Sequence, residues 1–163
     1  MEKIGEELSR IWGSVIIEAI ESAYHDWRIA QSEVANHKKR TRASYVWDCA
    51  ISRLRAALST SQDFFFQDVG QTTYIIYRDT LRLQFKGCNA RGRVSSVPTR
   101  RVAHFASQLP LDFEIYPHLT NVYLTYQLDP YETGIQTIIL ACPNGASYEW
   151  VIPIEDTAVS TMD

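Results

Sequence analysis

Ile4, Leu8, Ile11, Trp12, Val15, Ile16, Ala19, Ile20, Ala23, Tyr24 and Trp27 recur at spacings of one, three and four. Such spacing places side chains on one stripe of an α-helix. Arg10, Glu18, Glu21, His25 and Arg28 fall on the opposite face. The pattern predicts a first helix reaching about Val34, roughly 45 to 50 Å long at 1.5 Å per residue. Gly13 interrupts it at a cost of about 1 kcal/mol relative to alanine, and a mild bend is expected there. The basic stretch His37-Lys38-Lys39-Arg40 then breaks the pattern. A second stripe follows through Ala43, Val46, Trp47, Ala50, Ile51, Leu54, Ala57 and Leu58, with Thr41 as the expected N-cap. These two stripes predict an antiparallel helical hairpin with a basic tip, Trp27 and Trp47 both being mostly buried. The first helix outruns the second by about 15 residues, or roughly 20 Å. Its extra apolar turns need cover from the rest of the chain or, failing that, from a second copy in a homodimer.

From Phe64 the period changes. Thr73 to Tyr77 is rich in β-formers, and Leu81, Leu83 and Phe85 alternate with Arg82, Gln84 and Lys86, the signature of a half-buried strand. Arg78-Asp79 is the expected turn between them. Gly87 to Val97 reads as a loop, and Pro98 suits the first turn of a short helix with Val102 and Phe105 facing inward. Three more strands are expected near Thr120 to Leu128, Ile135 to Cys142 and Tyr148 to Ile154. Asp129-Pro130 and Gly134 bound the first of their connections, and Asn144-Gly145 marks a hairpin. The reading is α+β: an N-terminal antiparallel helical hairpin packed on a mostly antiparallel sheet of about five strands, with one short inserted helix. It forms one domain over residues 1–156, the hairpin spanning 1–59 and the β-rich part 60–156, with 157–163 a flexible tail.

Charge changes the picture more than composition does. A net charge of −3 conceals three unlike segments. Residues 1–60 hold nine bases and eight acids, residues 61–110 seven and three, and residues 111–163 none and eight. The densest basic stretch, 82–101, holds Arg82, Lys86, Arg91, Arg93, Arg100 and Arg101 and no acid. Arg91, Arg93, Arg100, Arg101 and His104 are therefore the candidate site for a phosphate or a carboxylate, since arginine forks bind both in a bidentate way. The competing expectation is that these bases pair with the chain's own acidic end. The overall charge argues against indiscriminate nucleic-acid binding, which needs clustered cations.

Other chemistry finds little support. Cys49, Cys88 and Cys142 are far apart and odd in number, so no disulfide framework is expected and a reducing cytoplasm fits. No CxxC or HxxxH spacing joins Cys88, Cys142, His104 and His118, so neither a metal site nor a cofactor is expected. No GxSxG elbow is present. Cys88 lies near many cations, which favours a thiolate. A nuclease-like set combines Asp68 or Asp79 with Gln84-Phe85-Lys86, although Gln84 stands where a second carboxylate would bind metal better. Tyr123, Thr125 and Gln127 share a strand face that would stack bases if exposed, or pack on the long first helix if covered. The N-terminus lacks the apolar core of a signal peptide, and no membrane association is expected.

The segments SSVPTRRVAHFASQLPL, TNVYLTYQLD, ILACPNG and YEWVIPI, between Phe85 and Ile154, resemble small uncharacterised proteins of actinobacterial and phage type. Those are associated with genes beside ImmA/IrrE-type metallopeptidases, in toxin–antitoxin or immunity-like modules. The resemblance implies a non-enzymatic interaction protein whose partner is a metallopeptidase- or repressor-type protein, and it carries over no functional residue. The alternative is a small effector that binds or cuts nucleic acid through the basic island 82–104.

Overall fold

A computed structural model describes residues 1–31, 39–88, 94, 99–111 and 118–156. Two long helices, α1 (Glu2–Ala30) and α2 (Lys39–Leu58), precede strands β1 (Phe64–Val69), β2 (Thr72–Tyr77) and β3 (Leu81–Gly87). A short helix, α3 (Arg100–Ala106), leads to β4 (Thr120–Leu128), β5 (Ile135–Asn144) and β6 (Ser147–Pro153). The six strands form one sheet in sequence order. Every neighbouring pair is antiparallel except β3 and β4, which run parallel from Leu81↔Thr120 to Gly87↔Tyr126. The α+β architecture expected from the sequence is present, with one strand more than expected.

The added strand is β1. Its Phe64-Phe65-Phe66 start shows no apolar–polar alternation in sequence. Burial nonetheless alternates, with Phe64 in the core and Phe65 57% exposed at the sheet edge. The β2–β3 turn is as expected: Arg78 and Asp79 both adopt positive φ, and Thr80 N–H donates to the Tyr77 carbonyl at 3.0 Å. Positive φ at both central residues matches the right-handed twist of the strands it joins.

The helices cover one face of the sheet. Leu8, Ile16, Ile20, Ala23 and Trp27 of α1 meet Val46, Ala50, Leu54 and Leu58 of α2, and both rows rest on Ile75, Leu83, Phe85, Val122, Leu124 and Leu140. α1 has 29 residues and α2 has 20, so the overhang is shorter than the spacing predicted. α1 ends at Ala30 rather than near Val34. α2 begins at Lys39, ahead of Thr41, so Thr41 is a first-turn residue and not the cap. The extra turns of α1 are covered by the sheet. Leu8 is fully buried, Trp12 meets Phe64 edge-on at 5.1 Å, and Trp150, Ile152 and Ile154 join the same core. Gly13 permits this docking, because a Cβ there would lie 2.7 Å from the Glu155 carbonyl oxygen. Trp27 and Trp47 are both mostly buried as expected, Trp27 in the core and Trp47 packed against it while also lining an open groove.

The opposite face carries a smaller cluster of Tyr74, Phe105, Leu111, Tyr123 and Ala141. Phe105 of α3 packs on Tyr74 at 6.0 Å and on Tyr123 at 5.1 Å between ring centres. The Tyr123 face is thus closed by the short helix, not by the long one. The N-cap of α3 is Thr99, whose hydroxyl accepts from Val102 N–H at 3.1 Å. Pro98 and the tail from residue 157 lie outside the described residues. No described helix is long and apolar enough to cross a membrane.

Candidate functional site

The parallel pairing of β3 with β4 leaves the C-terminal ends of both strands side by side. Cys88 N–H continues the pairing by donating to the Tyr126 carbonyl at 3.0 Å. Gly87 makes room for Tyr126, whose ring would lie 3.2 Å from a Cβ at that position. Tyr126 then stacks on Phe85 at 5.5 Å and 22°, and burial raises its phenol pKa to about 12. In sheets with parallel strands, ligand crevices form outside such strand ends. Here a solvent-open groove of about 2100 Å³ runs past them, from the first turns of α2 to the first turn of α3. Small-molecule pockets measure roughly 300 to 1000 Å³.

Among the described residues six bases line the groove: Lys39, Arg40 and Arg42 from α2, Lys86 from β3, and Arg100 and Arg101 from α3. The described lining acids, Asp48, Asp129 and Glu132, lie on α2 and the β4–β5 turn. That turn is fixed from several sides. Asp129 accepts from the N–H groups of Tyr131 and Thr133, each at 3.0 Å, and from the Thr133 hydroxyl at 2.7 Å. These bonds, the hydroxyl's first, hold its carboxyl below the ordinary aspartate value. Glu132 accepts from Arg42 at 2.8 Å and lies 3.6 Å from Lys39, and the Arg42 bond lowers its pKa. The Tyr24 hydroxyl donates to the Glu132 carbonyl at 2.6 Å and Arg28 to the Thr133 carbonyl at 3.0 Å. The α2 end of the groove is therefore largely neutralised by the chain itself. The β3–α3 side adds Lys86, Arg100 and Arg101 and no acid among the described residues. Arg40 and Arg100 form no ion pair with a described residue. Lys86 is partly buried, and desolvation pushes its ammonium pKa down from the usual lysine value.

Of the five candidate site residues, Arg100 and Arg101 meet in this groove. His104 does not line it; its Nδ1 lies 3.1 Å from the Pro110 carbonyl, and since a carbonyl only accepts, that nitrogen is the donor. Arg91 and Arg93 lie outside the described residues. The remaining bases, Lys39, Arg40, Arg42 and Lys86, were visible only as a basic helix start and an alternating strand. Their convergence depends on the parallel pairing, for which the sequence has no local signal. Arg82, counted in the basic stretch, belongs to the interior: it is 1% exposed, donates to Asn121 Oδ1 at 2.9 Å and lies over the Tyr74 ring.

Two chemical readings are corrected. Cys88 is partly buried, its thiol donates to the Tyr126 carbonyl at 3.3 Å, and burial raises its pKa, so nearby cations do not make it a thiolate. The nuclease-like set does not assemble. Strand register puts Asp68 beside Thr73 on the helix-covered face, whereas Gln84 and Lys86 share the other face with Tyr74. Asp68 is engaged by Thr73 and Arg55, each at 2.7 Å. Asp79 sits in the turn at the far end of β3. No group of three or more His, Cys, Asp or Glu able to hold a metal exists among the described residues. No protein-family model matches the chain, and no curated protein or solved structure matches it significantly.

Proposed function

We propose that this chain is a non-enzymatic binding protein and that the groove at the ends of β3 and β4 is its contact surface. One observation carries the reading: among the described residues, bases from three separated segments converge on a single concavity, and no group of metal-holding side chains accompanies them. Charge complementarity across an interface steers and orients a partner. The resemblance of residues 85–154 supplies the setting, a phage or bacterial toxin–antitoxin or immunity-type module with a metallopeptidase- or repressor-type partner. The nucleic-acid reading survives in its binding form, since the same positive lining attracts phosphate; for cutting, the described residues offer no metal-holding group.

Affinity capture from the native host tests the proposal. Wild type retains its partner, and Arg100→Glu/Arg101→Glu loses it while keeping the same thermal midpoint. Unchanged capture by the double variant, or a loss of stability in its place, removes the groove from the interface.

A further inference from the structure

The sheet has two edges, β1 and β6, and they are finished differently. An open edge presents unpaired N–H and C=O groups that pair readily with another strand. On β6, Ile154 N–H donates to the Ile138 carbonyl at 2.8 Å. Trp150 and Ile152 therefore bond towards β5, and the main-chain groups of Glu149, Val151 and Pro153 point outward. Pro153 has no N–H to give. Its carbonyl accepts from the Ser9 hydroxyl at 3.4 Å, and the exposed Glu149 adds a charge. A further strand is discouraged on this side.

β1 lacks these guards. Arg78 N–H donates to the Asp63 carbonyl at 2.8 Å, one step before the Phe64↔Tyr77 pair. Phe65, Gln67 and Val69 therefore bond towards β2, and the main-chain groups of Phe64, Phe66 and Asp68 point outward. No described residue takes these groups up. The strand FFFQDV holds no proline, glycine or lysine. Its one charge, Asp68, is engaged by Arg55 at 2.7 Å, and Phe65 is 57% exposed. Charge and symmetry then select the occupant. A strand whose single carboxylate is already paired meets an identical strand without like-charge opposition. Its outward groups lie evenly on either side of Phe66. A two-fold axis there sets Phe66 against Phe66 of a second copy and Phe64 against Asp68, so that Asp68 never faces Asp68. Three facing pairs supply about six N–H···O=C bonds. On the face that β1 shares with Tyr74, Phe65 lies opposite Gln67 of the second copy, and the two Phe65 rings come into diagonal reach.

We propose that β1 is a homodimer interface: two copies pair β1 with β1, antiparallel about an axis at Phe66, and join their six-stranded sheets into one. The contact is isologous and uses up the open edge of each copy. The guarded β6 edges end the assembly at two copies, so it closes and does not grow into a fibre. This surface does not depend on the groove reading above.

Sedimentation velocity of the full chain over a concentration series tests the interface. Wild type sediments as a concentration-dependent dimer. Phe65→Lys, which puts a cation near the axis on each copy, raises the dimer dissociation constant by about tenfold or more. Val151→Lys on β6 leaves it unchanged. Circular dichroism checks the fold; if Phe65→Lys unfolds, Phe65→Thr carries the comparison, with a smaller loss expected. Cross-linking reads the register. In Phe65→Cys/Gln67→Cys the new thiols face each other across a pair with Cα atoms about 4.5 Å apart. Oxidation then yields a covalent dimer on a denaturing gel, which wild type does not give. A wild type that stays monomeric at about 100 μM overturns the second-copy assignment and leaves the edge to a strand of another protein. A dimer that Phe65→Lys leaves intact, or that Val151→Lys dissociates, overturns β1 as the interface. Dissociation by Phe65→Lys without the covalent dimer overturns the axis at Phe66, and assemblies larger than two overturn the closed arrangement.

Discussion

The side-chain amide of Gln108 pairs with the main chain of Asn121 as a neighbouring strand would. Its Oε1 accepts from Asn121 N–H at 2.8 Å, and its Nε2 donates to the Asn121 carbonyl at 2.8 Å and to the Pro143 carbonyl at 2.9 Å. The arrangement answers a local defect. The regular pairing of β4 with β5 starts at Tyr123↔Ala141, β5 is irregular at Cys142/Pro143, and proline has no N–H to offer. Gln108, just beyond α3, fills the gap and so ties α3 to the sheet. Gly145 N–H adds a second tie to the Ala106 carbonyl at 2.8 Å.

Gln108→Ala should therefore destabilise the chain by about 2 to 4 kcal/mol, because it leaves partly buried main-chain groups unsatisfied. The denaturant midpoint should fall with an unchanged slope. A loss below about 0.5 kcal/mol would mean that water replaces the amide at no cost.

Gly13→Ala should also destabilise, against its helix propensity. An exposed helix interior gains about 1 kcal/mol from this change. Here the new methyl meets the Glu155 carbonyl at 2.7 Å, so either the helix or the segment after β6 must shift. The expected net cost is about 1 to 3 kcal/mol. Thermal unfolding of the variant decides it, and a raised midpoint would show that residues 154–156 are not held against α1.

Gly13 illustrates what the sequence conveys and what it does not. It was legible as a break in an apolar stripe, with bending as the local explanation; the actual reason lies some 140 residues away in sequence, at Glu155. The helices, the Arg78-Asp79 turn and the five expected strands have local signatures and are present, although α1 and α2 are bounded differently from the expectation. β1 escaped because three consecutive phenylalanines carry no period. The groove escaped in larger part. Arg100 and Arg101 stood out as adjacent charges, but nothing local joins them to Arg40 or Lys86. Arg82 looked like the polar side of a half-buried strand, yet its sheet face is covered by α3, and Asn121 and Tyr74 accommodate its charge.

The β4–β5 turn should loosen in acid. Asp129 and Glu132 have folded pKa values below their ordinary 3.8 and 4.5, held there chiefly by Thr133 and by Arg42 respectively. A depressed folded pKa means that the unfolded chain binds more protons, so stability rises with pH across the window. The contribution is complete above the ordinary values and disappears as pH falls through the lower folded ones. Glu132→Gln should consequently flatten the acid limb of a plot of thermal midpoint against pH. Arg42→Gln should flatten it similarly, since it removes the bond that lowers the Glu132 pKa. An acid limb identical in all three proteins would show that the Arg42–Glu132 pair adds nothing to stability.

Leu8 and Ile11 lie on the same α1 stripe, and the fold assigns them opposite fates. Leu8 is 0% exposed beneath the sheet, whereas Ile11 is 44% exposed. A sequence view treats both as parts of one apolar patch that a second chain might cover. In the fold, only the Ile11 margin remains open, and Leu8 is unavailable to any partner. Leu8→Ala should cost about 2 to 5 kcal/mol as a cavity in the core, while Ile11→Ala should cost less than about 1 kcal/mol. Leu8→Glu should unfold the chain, because a buried carboxylate without a partner is costly. Ile11→Glu should stay folded and sediment as wild type does. A wild-type dimer that Ile11→Glu converts to a folded monomer would place a symmetric interface on this margin of α1, and Leu8→Glu chains that remain folded would remove Leu8 from the core.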